Sequence, residues 1–525
     1  MTGTARDQLR HFPASFALAA FAVLLFLTTP TAGDFWWFDS PRHAMNSVYL
    51  HDLIFNGGLT HPIEFSRDYY RRYPAINVGF YPPFLYISTV PFLAIFGASH
   101  GVAQAVVTLY GLMAGAMTYL ICMRKADRLM SVSTALCVMA TPSTALWVRQ
   151  VQLDVPAVAL ILTTVYCLIR YLDDGKKSSL FATCVFLGLA ILTRVQAIFL
   201  VPGVLYFLFV KESGKRPILK IRLLAVGLAG LIALPSILMA AYFARLNQTL
   251  ASNMAGMPSL FTVDNWGWYA RQLPTQLGIP TLIVFLSGLA IGFFKFVRGS
   301  RFLPAIVLVC FVTCSWLFFT VVSNKDPRFN LPSLPFLAIL GAWGLAAVAP
   351  RAGSLLMAAL ASWVMFQCLA VDQVPVVSGF DAAVKVAESA TPKNQNILIS
   401  AHRDGNFIYD LRVDGTRPDI GVRRADKILV EINIVREMGI NDKQLDAQGV
   451  WNLLVKENVA TVVAQTGYLS EQPTMQSLET LLASSAHFEK VGTVPLQGAT
   501  MPKEKQLVIY KRKLVCCDAA ARSFH

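Results

Sequence analysis

Asp39 lies in an aromatic-rich stretch, Phe35–His43 (FWWFDSPRH), a few residues after the first long uncharged segment of the chain. Tryptophan-rich belts usually lie at the level of the lipid headgroups. A carboxylate held there, beside Arg42 and His43, has the chemistry of a general base for a substrate that is carried by a lipid. An ordinary solvated loop aspartate would give the same local pattern, so the assignment depends on the rest of the chain.

Further polar residues occur at the ends of predicted apolar helices. Asp154 opens one helix, Arg194 interrupts an apolar segment, and Tyr81 precedes two prolines. Lys325 and Arg328 lie in a polar stretch rich in proline. Carboxylates that face arginines suit transfer from a phosphate-activated donor, because a carboxylate takes a proton and guanidinium groups stabilise the departing phosphate. The alternatives are a helix cap for Asp154 and binding of lipid headgroups for the arginines.

The composition is that of a polytopic membrane protein. Of the 525 residues, 55% are hydrophobic and only 14% are charged, whereas soluble proteins have about 25% charged residues. The net charge of +14 arises from residues 1–371, which hold 27 basic and 13 acidic residues, while residues 372–525 hold 18 of each. Basic residues in short loops between apolar segments follow the positive-inside bias. The charge therefore does not indicate binding to nucleic acid.

The uncharged segments predict about eleven transmembrane helices. They are residues 12–30, 101–123, 129–148, 154–170, 178–193, 195–210, 223–244, 276–294, 302–324, 331–350 and 352–371. With the N-terminus in the cytoplasm, the inner loops hold 17 basic and 5 acidic residues and the outer loops hold 10 and 8. This orientation agrees with the positive-inside rule and places the part after residue 371 outside the membrane.

Two segments affect this helix count. Residues 73–123 contain no Lys, Arg, Asp or Glu, and we interpret residues 81–97 as a short helix lying on the outer surface, since a second span would place Arg124 outside. Residues 178–210 are interrupted by Arg194. Two short helices with Arg194 at the outer turn avoid the cost of burying an arginine in the membrane.

The C-terminal part predicts a small α/β domain outside the membrane. Short β-rich runs alternate with helical stretches. The predicted strands are 396–400, 459–464 and 506–510, and the predicted helices are 381–390, 447–457 and 474–485. We therefore divide the chain into a transmembrane catalytic domain, residues 1–371 with a large outer loop at 31–100, and a periplasmic domain, residues 372–525. The motif Arg423–Lys427 is interpreted as a salt-bridged surface.

The order of these motifs resembles the GT-C superfamily of membrane glycosyltransferases, in the family of protein O-mannosyltransferases, aminoarabinose transferases and bacterial lipopolysaccharide core transferases. The resemblance covers about residues 1–371. The motifs that carry it are FDSPRHA at 38–44, FYPPFLY at 80–86, LDVP at 153–156, Thr193-Arg194, and the stretch from Arg328 to Pro335.

The resemblance implies transfer of a sugar from a polyprenyl-phosphate carrier to a hydroxyl of a lipid, glycan or protein at the periplasmic face, usually with inversion. Asp39 would be the catalytic base, Asp154 would position the acceptor or the catalytic loop, and Arg194 with Arg328 would hold the lipid phosphate. The remaining substrate-binding candidates are Lys325, Tyr81, Arg42 and His43. Many relatives carry Asp-Glu where this chain has Asp39-Ser40, and some carry a lysine where it has Tyr81.

No cofactor is predicted, and no complete metal cage is evident, although an outer carboxylate pair could bind a divalent cation weakly. A transporter or flippase for a lipid-linked saccharide is the main alternative. Transporters place ionisable residues at the bilayer midplane and often have paired halves, whereas here the polar residues gather at one face. A catalytically inactive assembly partner and a glycan ligase or polymerase remain further alternatives. The protein is expected to cross the inner membrane several times, with its N-terminus in the cytoplasm.

Overall fold

The computed structural model describes residues 3–77, 79–210, 217–253, 258–297, 302–322, 324–432 and 439–513. These residues pack into two compact units. The helical unit comprises Met1–Thr29, Val78–Ser88 and Gln104–Val374. The mixed unit comprises Pro30–Asn77, Thr89–Ala103 and Pro375–His525.

This grouping differs from the predicted domains in one respect. The predicted boundary at 371/372 lies within a few residues of the observed one, but most of the outer loop at 31–100 packs with the C-terminal domain and not with the helices. The reason is a set of polar contacts: the side chain of Arg412 binds Asp52 at 2.5 Å, and the side chain of Asn406 binds the backbone of Phe35. Hydropathy does not reveal such contacts between segments far apart in sequence.

The described residues contain the following α-helices in chain order. They are α1 Gly3–Leu27, α2 Ser40–Phe55, α3 Pro62–Arg72, α4 Phe84–Phe96, α5 His100–Cys122, α6 Arg128–Ala140, α7 Pro142–Val148, α8 Asp154–Asp174, α9 Lys177–Thr193, α10 Val201–Leu205, α11 Leu219–Tyr242, α12 Ala244–Asn253, α13 Val263–Leu277, α14 Ile279–Val297, α15 Leu303–Val321, α16 Ser333–Val348, α17 Pro350–Phe366, α18 Phe380–Ala390, α19 Asp404–Val413, α20 Ala425–Ile428, α21 Ala447–Lys456 and α22 Pro473–Ala483.

Within the described residues, five helices are long and apolar enough to cross a membrane: α5, α8, α11, α15 and the continuous segment Pro350–Val371. A sixth span results if α6 and α7, bent by 66° at their junction, are counted together. Several other predicted spans are shorter apolar helices, so the number eleven stays a prediction. The basic residues at 211–216 and 298–301, which contribute to the predicted orientation, lie outside the described residues.

Three predicted helices differ from the structure for identifiable reasons. The predicted helix 129–148 breaks at Thr141, whose extended backbone precedes Pro142, a residue that disfavours helix before it. Residues 195–210 form successive 3₁₀, α and π segments instead of one α-helix. The predicted helix 276–294 begins only at Ile279, because Gly278 ends the preceding helix with a positive φ of 78°. The predicted short helix at 81–97 is present as α4.

The mixed unit contains a five-stranded sheet. Its strands are β2 Asn396–Ser400, β3 Gly421–Arg424, β6 Val459–Gln465, β7 Phe488–Pro495 and β9 Gln506–Arg512, while β1 Val377–Ser378 pairs with β8 Gln497–Gly498 and β4 Val430–Ile432 pairs with β5 Ile440–Asp442. The order across the sheet is β3-β2-β6-β9-β7; the first three strands are parallel, and β9 and β7 are antiparallel to their neighbours.

All three predicted strands and all three predicted helices of the C-terminal domain are present within a few residues of their predicted bounds. Helices α21 and α22 cover the sheet with a core that includes Leu398, Val462, Leu454 and Leu478. The prediction of a polytopic α-helical protein with a C-terminal α/β domain is confirmed. The motif Arg423–Lys427 does form ion pairs, but its central pair is buried and is not part of the exposed surface.

Two buried aspartates, Asp34 and Asp410, meet inside the mixed unit. Their carboxyl groups share a hydrogen bond, and the backbone N–H of Phe380 donates to Asp34 at 2.9 Å. Burial, with the nearby charge of Asp381, raises the pKa of Asp34 to about 6. Burial and the charges of Asp34, Asp414 and Asp381 raise the pKa of Asp410 still more strongly. Arg403 lies close enough to Asp34 to interact with it electrostatically.

This pair predicts that the mixed unit loses stability as the pH rises. A carboxyl group whose pKa is raised on folding stabilises the folded state below its unfolded pKa, here 3.8, and this contribution is lost as the pH passes about 6. This difference in pKa corresponds to a change of about 3 kcal/mol in the free energy of unfolding. Thermal unfolding of the full-length protein in detergent between pH 4 and 7 would measure the loss. Asp34→Asn removes the titrating carboxyl group and should flatten this dependence, and an equal slope in that variant would contradict the assignment.

Candidate active site

Asp154 and Arg194 are brought together by a helical hairpin in the helical unit. Helices α8 and α9 are joined by two residues, of which Gly175 adopts the left-handed conformation that ends α8. The short turn makes the helices antiparallel, so the first residue of α8 and the residue after α9 lie at the same end. The guanidinium of Arg194 forms an ion pair with Asp154, whose side chain is only 2% exposed.

A second carboxylate–guanidinium pair lies in the turn between α15 and α16. Asp326 caps a 3₁₀ turn, Pro327–Asn330, by accepting from the backbone N–H of Arg328 at 2.8 Å. The guanidinium of Arg328 donates to Asp326 at 2.6 and 2.9 Å and lies over the ring of Trp147, 5.0 Å from its centre. Burial alone would raise the pKa of Asp326, but the hydrogen bonds and charge of Arg328 outweigh burial, and the pKa is lowered.

The two arginines line one cleft of the helical unit. Arg194 and Arg328 share it with Asp154 and with the aromatic rings of Phe319 and Phe329. These two rings stack at 5.5 Å, and Arg194 lies 5.3 Å from the centre of the second ring. A guanidinium has five N–H donors, more than a single carboxylate can accept. The cleft therefore combines converging positive groups, suited to a phosphate, with an apolar aromatic wall.

Tyr81 and Lys325, the other two candidates in the helical unit, differ in their surroundings. Tyr81 lies close enough to Arg194 to interact with it electrostatically. The ammonium of Lys325 donates to the carbonyls of Phe319 and Thr320, both at 2.7 Å, and thus caps the C-terminus of α15. Burial lowers the pKa of Lys325 to about 8. These contacts give Lys325 a structural role in addition to its predicted substrate contact.

Asp39, Arg42 and His43 lie in the mixed unit, at the start of α2. Asp39 occupies the N-cap position, yet its carboxylate accepts no capping hydrogen bond from the helix, and the residue is half-buried. This is unusual for an aspartate at such a position. His43 is 2% exposed. Arg42 is engaged by Asp404 at 2.9 Å, so a protein carboxylate already serves as its counter-ion.

Several residues of these sites escaped the sequence analysis. Trp147 was not among the predicted site residues, because no pattern in its helix shows that its ring lies under the distant Arg328. Arg403 and Asp404 lie three and four residues after the buried strand β2. Polar residues near the carboxyl ends of parallel strands often contact ligands, and this signal could have been used. Among the described residues there is no group of three or more His, Cys, Asp and Glu side chains that could hold a metal ion.

The fold has clear matches among solved structures. ArnT from Cupriavidus metallidurans bound to undecaprenyl phosphate has a TM-score of 0.61 and 14% identity, over 94% of this chain and 97% of that chain. Its apo form gives a TM-score of 0.59 and 14% identity, over 97% and 98% of the two chains. The archaeal oligosaccharyltransferase AglB from Archaeoglobus fulgidus, in complex with an inhibitory peptide and a dolichol-phosphate, is also similar. It has a TM-score of 0.51 and 12% identity, over 98% of this chain and 75% of that chain.

Sequence comparison gives a narrower match. The family model of dolichyl-phosphate-mannose-protein mannosyltransferase matches residues 81–242, which include Tyr81, Asp154 and Arg194. No curated protein sequence matches the chain. Because ArnT aligns with nearly the whole chain, including the C-terminal domain, the likeness extends beyond the residues on which the sequence motifs rested. The predicted resemblance is confirmed, and the chain has the fold of the GT-C membrane glycosyltransferases.

Proposed function

We propose that the protein is a glycosyltransferase that moves a sugar from a polyprenyl-phosphate carrier to a hydroxyl acceptor. The observation that carries this proposal is the cleft in which Arg194 and Arg328 converge beside aromatic rings. Paired guanidinium groups suit a phosphate, and the aromatic wall suits the first carbons of an isoprenoid. The similarity to ArnT bound to undecaprenyl phosphate and to AglB bound to dolichol-phosphate supports the same class of donor.

The proposed reaction balances as a single displacement. The carboxylate of Asp39 takes the proton of the acceptor hydroxyl, and the hydroxyl oxygen forms a bond to the anomeric carbon of the donor. The bond between that carbon and the phosphate oxygen breaks, and its electron pair remains on the polyprenyl phosphate. Attack from the side opposite the leaving group inverts the anomeric carbon. No metal is required for this balance.

Arg194 and Arg328 are proposed to stabilise the leaving phosphate. Negative charge builds on the phosphate oxygens as the bond breaks, and preorganised guanidinium groups favour that state over the ground state. Asp154 and Asp326 each bind one of these arginines and so fix its orientation. We therefore propose Asp154 as a positioning residue for the donor site, whereas the resemblance implied that it positions the acceptor or the catalytic loop. Tyr81 is proposed to assist through its interaction with Arg194.

The proposed test uses the full-length protein in vesicles that contain a polyprenyl-phosphate sugar and a mixture of envelope acceptors. Protein-dependent release of polyprenyl phosphate, together with a new glycosidic product, is expected. Movement of the donor across the bilayer without a product would favour the transporter alternative. Mass analysis of envelope glycans from a strain that lacks the protein would then identify the sugar and the acceptor, which is a lipid, a glycan or a protein.

The reaction is proposed to occur at the periplasmic face of the inner membrane, with the N-terminus in the cytoplasm. The distribution of basic residues between the predicted loops supports this orientation. It predicts that a cysteine at Ser470, in the mixed unit, reacts with an impermeant thiol reagent in intact cells. The matched control is Lys177→Cys at the first residue of α9, which is expected to react only after the cells are opened. Both substitutions require a background without the nine native cysteines. Protection of position 470 in intact cells would reverse the orientation.

A further inference from the structure

Several residues of the segment that carries Asp39 are contacted by a short stretch of the C-terminal domain. The Asp39 segment is Phe35–Arg42, and the stretch that binds it is His402–Asn406, between strand β2 and the first turn of α19. All of these residues belong to the mixed unit. Each residue of the His402–Asn406 stretch contacts the Asp39 segment, through a hydrogen bond, an ion pair or a ring.

The contact of Asn406 resembles the pairing of two β-strands. Its side-chain carbonyl accepts from the backbone N–H of Phe35 at 3.1 Å, and its side-chain amide donates to the carbonyl of the same residue at 3.0 Å. Asn406 and Phe35 are 1% and 2% exposed. Because water is excluded, losing either partner would leave a buried polar group unsatisfied. This pairing fixes the backbone four residues before Asp39.

Arg403 holds the next part of the segment. Its guanidinium donates to the carbonyl of Trp36 and lies over the ring of Phe38, 4.1 Å from the ring centre. The edge of the His402 ring meets the same phenylalanine at a centroid distance of 4.5 Å. Glu504 in turn binds Arg403 at 3.1 Å, and both side chains are buried. The residue directly before Asp39 is thus held between two side chains of the C-terminal domain.

The residues after Asp39 are held as well. Pro41 packs so closely on Gly405 that a Cβ atom there would lie 3.0 Å from the Cγ of the proline. Asp404 binds Arg42 at 2.9 Å and Arg424 at 2.5 Å. Asp39 therefore lies between two anchored neighbours, while its own carboxylate does not cap α2.

The position of this contact within the sheet is that of a ligand site. Strand β2 has β3 on one side and β6 on the other, both parallel to it, so the chain order reverses at β2. Open parallel sheets bind ligands at the carboxyl ends of strands at such a switch point. Here the backbone N–H of His402, just after β2, donates to Gln465 at the end of β6 at 3.0 Å. The chain's own Asp39 segment contacts this loop, where another protein would bind a small molecule.

We infer that the His402–Asn406 stretch is a positioning element that sets the place of the Asp39 carboxylate. This inference rests on the proposed function in one respect, namely that Asp39 is the base. According to this inference, the C-terminal domain contributes to the reaction step by positioning Asp39, and it need not contact the acceptor itself. A displacement of a reacting group by about 1 Å can reduce turnover about 100-fold. Loosening this stretch should therefore lower kcat without weakening the binding of the donor.

The first test is Asn406→Ala, measured by hydrogen exchange and by kinetics on the full-length protein. Loss of the hydrogen bond to the backbone N–H of Phe35 should speed exchange of that amide by about tenfold or more. The kcat should fall by about tenfold or more, with the donor KM within twofold of the wild type. The matched control is Asn452→Ala, an exposed asparagine on α21 that binds only Gln448 among the described residues; it should leave both readouts unchanged.

The second variant, Gly405→Ala, keeps the experiment decisive if Asn406→Ala fails to fold. Alanine favours the helical backbone of α19 over glycine, but its Cβ must push Pro41 by a few tenths of an ångström. Its kcat should fall with an unchanged donor KM. Faster exchange at the Asp39 segment with an unchanged kcat would overturn the positioning role and leave the proposed function intact. A raised donor KM would assign these residues to donor binding and also overturn it. Full activity of Asp39→Asn would instead contradict the proposed base.

Discussion

Replacing Asp39 by asparagine is expected to lower kcat by about 100- to 10,000-fold, the range that a general base contributes to a proton-transfer step. The amide of asparagine has the same shape as the carboxylate but cannot accept the proton of the acceptor hydroxyl. Because the carboxylate does not cap α2, its loss should not destabilise the helix. Donor binding should remain unchanged, since the donor phosphate is assigned to the arginines of the helical unit.

The measurement is turnover of a polyprenyl-phosphate sugar in vesicles, with donor KM and melting temperature recorded for each variant. Asp68→Asn is a matched control, because Asp68 lies in the same loop, is exposed and pairs only weakly with Arg71 at 3.5 Å. Asp39→Glu keeps the carboxylate but displaces it by one methylene, so an intermediate kcat is expected. If Asp39→Asn turns over within threefold of the wild type, Asp39 is not the base and another group must accept the proton.

The parts of the fold that follow from local patterns were predictable from the sequence. Strand β6, for example, is a run of Val, Thr and Ala bounded by polar residues, and it is buried in the sheet as expected. The pair of α8 and α9 follows from two apolar segments separated by a short polar turn that contains Gly175. In such cases hydrophobic periodicity and turn chemistry decide the structure almost alone.

The parts that depend on contacts between distant segments were not predictable in this way. Nothing near Phe35 in the sequence shows that its backbone pairs with Asn406, 371 residues later. Likewise, the sequence shows no counter-ion for Arg42, whereas in the structure Asp404 forms an ion pair with it. Hydropathy grouped residues 31–100 with the helices because they are contiguous, whereas packing grouped most of them with the C-terminal domain. Ion pairs and amide–backbone pairs carry no periodic signal.

For the candidate site, the sequence pointed to individual charged residues but not to their counter-ions. The resemblance assigns Asp154 to positioning of the acceptor or the catalytic loop and Arg194 to phosphate binding, yet the two side chains pair with each other. An arginine that is already neutralised by a carboxylate can still bind a phosphate through its remaining N–H donors. The role of Arg194 therefore depends on the groups that face the N–H donors not used by Asp154. The cleft shared with Arg328 is the structural answer.

Replacing Arg194 by alanine is expected to have two separable effects. The first is on stability: Asp154 would be left as a buried charge without its partner, which typically costs about 3–5 kcal/mol. The second is on donor binding: a charge-assisted hydrogen bond contributes about 1.5–3 kcal/mol, so the donor KM should rise about 10- to 150-fold. Arg271→Ala is the matched control, because this arginine forms an exposed ion pair with Asp264 on α13.

The double variant Asp154→Asn/Arg194→Gln separates the two effects. It removes both charges together, so no buried charge remains unpaired, and most of the lost melting temperature should return. If Arg194 holds the donor phosphate, the donor KM stays high in the double variant even though the fold is restored. If the pair only braces the α8–α9 hairpin, KM returns toward the wild-type value along with stability. Recovery of donor binding would thus leave Arg328 as the phosphate ligand and reduce Arg194 to a structural residue.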